Sequence, residues 1–226
     1  MPDVPPQPQL LRSLGKLARG LSALFWGLPA ALLISAGTAR AEWLRPLGFL
    51  PLLAVNGLLL YGLGQMGDFQ SQERPWRARL DRAKLLALVN LGLCPFIYWH
   101  FQLPGNRYFM AVFLILELCA GLFLFHLNGV LAQLGAMLPD ETLRQETRQF
   151  TALNRWLLVL LLGLAVLIGC LLQLPHPAPA IGRLLGWLDQ GSRLLLIFLV
   201  LLPLAMTMAL IWKTKEVILD AVFGPR

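Results

Sequence analysis

The sequence predicts an all-α protein, a polytopic integral membrane helix bundle of six transmembrane helices with N and C termini cytoplasmic. Three observations carry that expectation. Of 226 residues, 57% are hydrophobic and 14% charged, against about 25% charged in a soluble domain. The long apolar runs, such as Leu157 to Leu172, do not alternate with polar residues, so they read as helices rather than barrel strands. Lys and Arg are also divided unequally among the connections between these runs. Together these features exclude an ordinary soluble domain, a disordered chain and a secreted disulfide scaffold.

The elements follow in order. Met1 to Gln9 carries Pro2, Pro5, Pro6 and Pro8 and is expected to be disordered. Leu10, Leu14, Leu17 and Leu21 recur at helical spacing, with Arg12, Lys16 and Arg19 on another face. This reads either as an amphipathic helix in the headgroup layer or as a plain basic anchor. Residues 1–20 thus form a cytoplasmic N-terminal segment, 21–211 the transmembrane domain and 212–226 a cytoplasmic tail.

The first span, Leu21–Ala36, is short and contains Pro29. Its basic lead and Ala39-Arg40-Ala41 also fit a cleaved signal peptide, but the long leading segment and Pro29 favour a retained span. The second span is Leu47–Gly64. After it, Pro75 suits the first turn of a helix running into the third span, Leu85–Phe101, with Arg74 held outside that helix. The fourth span, Tyr108–Met137, would be about 45 Å long and must tilt or project from the bilayer. Pro139, Asp140 and Glu141 make a helix start that continues through Trp156 into the fifth span, Trp156–Leu174. Pro175, Pro177 and Pro179 precede Ile181–Leu188, an interfacial turn with Trp187 at headgroup level. The sixth span is Leu194–Ile211.

Fourteen of the 19 basic residues, including all four lysines, fall in connections on one side of this arrangement, and five on the other. The positive-inside rule places the richer side, with both termini, in the cytoplasm, as in a multi-pass protein of the cell inner membrane. The net charge of +7 then reflects topology and attraction of the basic loops to anionic lipid headgroups. It is no nucleic-acid signal, which would need a basic face interleaved with aromatics on a water-soluble fold.

Few residues offer chemistry. Cys94, Cys119 and Cys170 lie within spans, odd in number and without C-x-x-C spacing, and read as small buried hydrophobes. His100 and His126 lie at different depths and His176 in an outer loop, so no haem is bridged. No zinc spacing is present, so neither a metal nor a cofactor is expected. The single carboxylate in Gly64-Gln65-Met66-Gly67-Asp68 excludes the paired-metal diphosphate site of intramembrane prenyltransferases. With no P-loop and no Gly-x-Ser-x-Gly, no catalytic residues are assigned and the protein leans away from being an enzyme.

Glu117 is the most informative residue, about 13 Å into the fourth span. An acidic side chain there costs about 2.5–3.5 kcal/mol on insertion scales and marks a functional site by default. Asn56 lies at similar depth in the second span. At 100° per residue Asn128 shares the face of Glu117, and Asn90 has a similar inner depth. Glu117, Asn56, Asn128 and Asn90 are therefore expected to line a polar track among the first four helices. It would serve as a proton or cation site or, more in keeping with its short reach, as interhelical glue. His126 falls on the opposite face. The fifth and sixth spans are nearly featureless apart from Thr207 and Pro203. The expected function is a non-catalytic subunit, scaffold or assembly partner in a larger membrane complex, with other membrane protein subunits and the lipid bilayer as partners. The alternative is a small ion- or proton-coupled transporter or channel using Glu117.

Overall fold

A computed structural model describes residues 8–40, 46–69, 73–103, 105–137, 141–172 and 200–220. They form helices α1 (Pro8–Arg40), α2 (Leu50–Met66), α3 (Arg74–Leu93), α4 (Pro95–Gln102), α5 (Arg107–Met137) and α6 (Glu141–Leu172). A further helix, α7, runs over 200–220, and no strand occurs among the described residues. Among the described residues three stretches are long and apolar enough to cross a membrane, Arg12–Thr38, Arg74–Gln102 and Arg107–Met137, and Leu50–Met66 is a shorter apolar helix. The expectations for residues 1–7, for Pro139 and Asp140, for the Ile181–Leu188 turn with Trp187, and for Leu194 to Leu199 lie outside the described residues.

α1 is one helix of 33 residues with Pro29 inside it. Leu17 and Leu21, part of the leucine stripe read either as an interfacial helix or as a basic anchor, are fully buried and continue with Leu24 into the core. α1 lies antiparallel against α2, and the two backbones touch where glycine faces glycine. A Cβ on Gly20 would meet the Gly62 carbonyl oxygen at 2.6 Å, and one on Gly62 would meet the Gly20 oxygen at 2.9 Å. Small residues permit this approach, as in membrane helix pairs generally.

The turn after α2 is tied back to α1 by an ion pair in which the Lys16 ammonium donates to the Asp68 carboxylate. That hydrogen bond, and the charge of Lys16, hold the Asp68 carboxyl below its ordinary value of 3.8. A lowered folded-state value means that the pair stabilises the fold above the ordinary value. The contribution is lost as pH falls through the lowered one. Thermal unfolding of the wild type should therefore be insensitive to this pair from neutrality to about pH 5 and should weaken below 3.8. Asp68→Asn should lack that acid-side component, and identical acid limbs for the two proteins would remove the pair from the account.

α3 opens behind an extended N-cap, Glu73 at φ −78° and ψ 107°. Arg74, expected outside this helix, is its first residue. Pro75 falls in the first turn, where it has no intrahelical hydrogen bond to lose. The third span is broken at Cys94, before Pro95. Proline has no N–H for the carbonyl four residues back, that of Leu91, and the Cys94 thiol donates to that oxygen at 3.2 Å. α4 then carries His100, whose ring stacks on Phe113 of α5 at 4.7 Å.

α6 runs unbroken over Glu141–Leu172, so the helix continues through Trp156 as the sequence predicts. It packs antiparallel on α5, with Leu162 against Gly121 and the Thr147 side chain against Gly135. α7 meets α1 through Phe25 and Trp212, ring centroids 5.6 Å apart. The main core joins Leu17, Leu21 and Leu24 of α1 to Leu63 and Met66 of α2, Trp76 and Leu80 of α3, Leu127 to Leu134 of α5, and Ile211 of α7. All of these lie toward the end of the bundle that holds the α2–α3 turn. The opposite end has a smaller cluster of Leu52, Cys94, Ile97 and Leu116.

Candidate functional site

The four intramembrane polar residues expected to form one track are placed in different surroundings. Asn56 is half-buried, and its amide donates to the Leu52 carbonyl of its own helix at 2.9 Å. Asn90 is 6% exposed, and its Oδ1 has no partner among the described residues. Asn128 is fully buried. Glu117 is exposed on the flank of α5 and makes no hydrogen bond or ion pair among the described residues.

The expected contact between Asn56 and Glu117 is thus absent, and the continuous track is corrected to separate groups. Helical periodicity does put Glu117 and Asn128 within about 20° of one face. They are, however, about 16 Å apart along α5. The dense core surrounds only the half that carries Asn128. Periodicity fixes which direction a side chain leaves its helix and says nothing of how far along the helix its neighbours reach.

Asn128 belongs to a different group, built with α6 and α7. Its Nδ2 donates to the Leu124 carbonyl at 2.8 Å and to Thr207 Oγ1 at 3.0 Å. The two N–H groups of Asn154 Nδ2 serve three acceptors, Asn128 Oδ1 at 2.9 Å, Thr207 Oγ1 at 3.0 Å and the Pro203 carbonyl at 3.2 Å, so one of them is shared. Thr207 in turn donates to that same carbonyl at 2.7 Å. Its hydroxyl therefore gives one hydrogen bond and accepts two, the full capacity of a hydroxyl. Asn128, Asn154 and Thr207 are all fully buried. They join α5, α6 and α7.

Asn154 went unrecognised as part of a site because it lies just before the apolar run of the fifth span. A signal was nonetheless present. Thr147, Thr151, Asn154 and Leu158 recur at i, i+4, i+7 and i+11, and all four are buried. This stripe is the face that α6 turns to its neighbours. The network contains no titratable group, so it can hold helices together but cannot carry a proton or act as acid or base.

Basic residues brace the same half of α5. Arg79 of α3 donates to the Gly129 carbonyl at 3.1 Å, and the Arg155 guanidinium sits 4.6 Å from the centre of the Phe125 ring, within cation–π range. Cys94 is buried and Cys119 half-buried, both as free thiols. No cluster of three His, Cys, Asp or Glu side chains suited to a metal occurs among the described residues. No family model matches the chain, and no curated protein or solved structure matches it either.

Proposed function

We propose that this protein is a six-span protein of the cell inner membrane with both termini cytoplasmic. We assign it the role of a non-catalytic subunit, scaffold or assembly partner of a larger membrane complex. The observation that carries the reading is Glu117, an exposed carboxyl within a candidate span, with no partner among the described residues. Facing lipid, such a group costs about 2.5–3.5 kcal/mol. A neighbouring membrane helix that offers a hydrogen-bond donor or a cation removes that cost, so the face of α5 around Glu117 is where a partner subunit docks. The inner-membrane orientation is supported by the fourteen-to-five division of basic residues. The buried Asn128, Asn154 and Thr207 network gives the subunit a fixed shape to present.

The alternative, an ion- or proton-coupled transporter using Glu117, draws less support, because no hydrogen bond connects Glu117 to the buried carboxamides. The two readings separate in one pair of experiments. A photo-crosslinking residue placed at position 120, exposed on the Glu117 flank, should yield one discrete adduct in native membranes. Glu117→Leu should reduce that adduct about tenfold, equivalent to a membrane hydrogen bond of about 1–2 kcal/mol. A chain that remains monomeric with no adduct overturns the subunit reading. Ion flux into proteoliposomes that is lost in Glu117→Gln would replace it with transport.

A further inference from the structure

A polar crevice of about 240 Å³ lies between the end of α2 and the start of α3, lined among the described residues by Gly67, Asp68, Trp76, Arg77, Asp81 and Lys84. Nothing in the proposed docking role uses it. A water occupies about 30 Å³, so the crevice has room for a small charged group and not for a whole lipid.

Three features distinguish it from an ordinary solvated turn. Trp76 is 1% exposed, yet its indole N–H is a buried donor with no partner among the described residues. Buried donors are almost always paired, so this one points to an acceptor. Lys84 is bent over the turn: a Cβ on Gly67 would lie 2.8 Å from its Nζ. Lys16 pairs with Asp68, and the charge of Lys84 also acts on that carboxyl; among the described residues around the crevice Lys16, Arg77 and Lys84 outnumber the carboxylates of Asp68 and Asp81 by one.

We propose that this crevice binds a phosphate ester carrying an amine, the chemistry of a phosphoethanolamine headgroup. Lys84, Arg77 and the Trp76 N–H hold the phosphate oxygens, as charge-assisted hydrogen bonds do generally, and Asp81 accepts from the ammonium. This goes beyond diffuse attraction of basic loops to an anionic surface, because it names a site and a headgroup. Placing the site at the cytoplasmic leaflet rests on the proposed orientation, whereas binding does not.

Native mass spectrometry of the full chain in detergent tests this directly. Phosphatidylethanolamine, phosphatidylglycerol and diacylglycerol with the same acyl chains are titrated in parallel. Phosphatidylethanolamine should bind at least tenfold more tightly than diacylglycerol. Trp76→Phe keeps the ring and loses only the donor, and it should weaken that binding about tenfold. Arg77→Gln combined with Lys84→Gln should do at least as much. Soluble phosphoethanolamine that fails to displace the lipid assigns the headgroup to the bilayer, and displacement at equal concentration assigns it to a free phosphate ester. Equal binding of phosphatidylethanolamine and diacylglycerol overturns the site, as does unchanged binding in both variants. Phosphatidylglycerol binding as tightly as phosphatidylethanolamine overturns the part given to Asp81.

Discussion

Gly62→Leu is expected to force α1 and α2 apart and to give the largest loss of stability of any single substitution considered. The first atom beyond Cβ has nowhere to go: the Cβ itself would already lie 2.9 Å from the Gly20 carbonyl oxygen and 3.2 Å from both Ala23 Cβ and Leu24 Cγ. A backbone oxygen inside a helix cannot rotate aside as a side chain can. Overpacking a core costs about 1–3 kcal/mol, and here the strain also separates Leu24 from Leu59 and Leu63, which share its core. In detergent, thermal unfolding followed by circular dichroism should fall by about 5 °C or more, taking about 2–4 °C per kcal/mol for a chain of this length. Gly64→Leu is the matched control, two residues away on the same helix with open space at its Cβ. If the two substitutions lower the transition equally, glycine contact between α1 and α2 is not what holds them.

The second large effect is at the three-helix network. Asn154→Leu leaves Asn128 Oδ1 buried without its hydrogen bond, at about 1–3 kcal/mol, and Asn128→Leu removes the bonds to Thr207 and Asn154 while these two keep each other and the Pro203 carbonyl, at about 1 kcal/mol. Both exceed the average of about 0.6 kcal/mol for interhelical hydrogen bonds in membranes, because each carboxamide meets several groups at once. The double variant should cost clearly less than the sum. With both amides gone, Thr207 still donates to the Pro203 carbonyl, and leucine against leucine is an ordinary contact. A double-mutant cycle on chemical or thermal unfolding reads the coupling. Strict additivity would mean that Asn128 and Asn154 do not act together.

Much of this architecture was legible in the residues. The apolar run of the fourth span gave Tyr108–Met137, and the helix is Arg107–Met137. Pro75 marked the start of α3 for a local reason, a first turn that needs no N–H from it. The break before Pro95 also has a local cause, yet an apolar run shows none of it, because hydropathy does not register a lost N–H. The polar residues were harder to assign. Asn56, Asn90, Asn128 and Glu117 look alike in a hydropathy profile. What separates them is how much of each helix its neighbours cover, and that depends on pairings such as Asn128 with Thr207, 79 residues apart. Asn154 escaped notice because it precedes its apolar run, although α6 carries it into the core.

That separation in sequence sets a schedule for biosynthesis. Asn128 leaves the ribosome 26 residues ahead of Asn154 and 79 ahead of Thr207. At about 5–20 residues per second, roughly 4–16 s pass before Thr207 is made. During that interval Asn128 can turn to the Leu124 carbonyl of its own helix, but its Oδ1 awaits Asn154. If α5 spans the membrane as proposed, it enters the bilayer with a carboxamide only half satisfied. The cell's insertion machinery, rather than lipid, is the better host for it until the last helix arrives. Chains that stall or end before α7 should linger there and be the ones quality control removes.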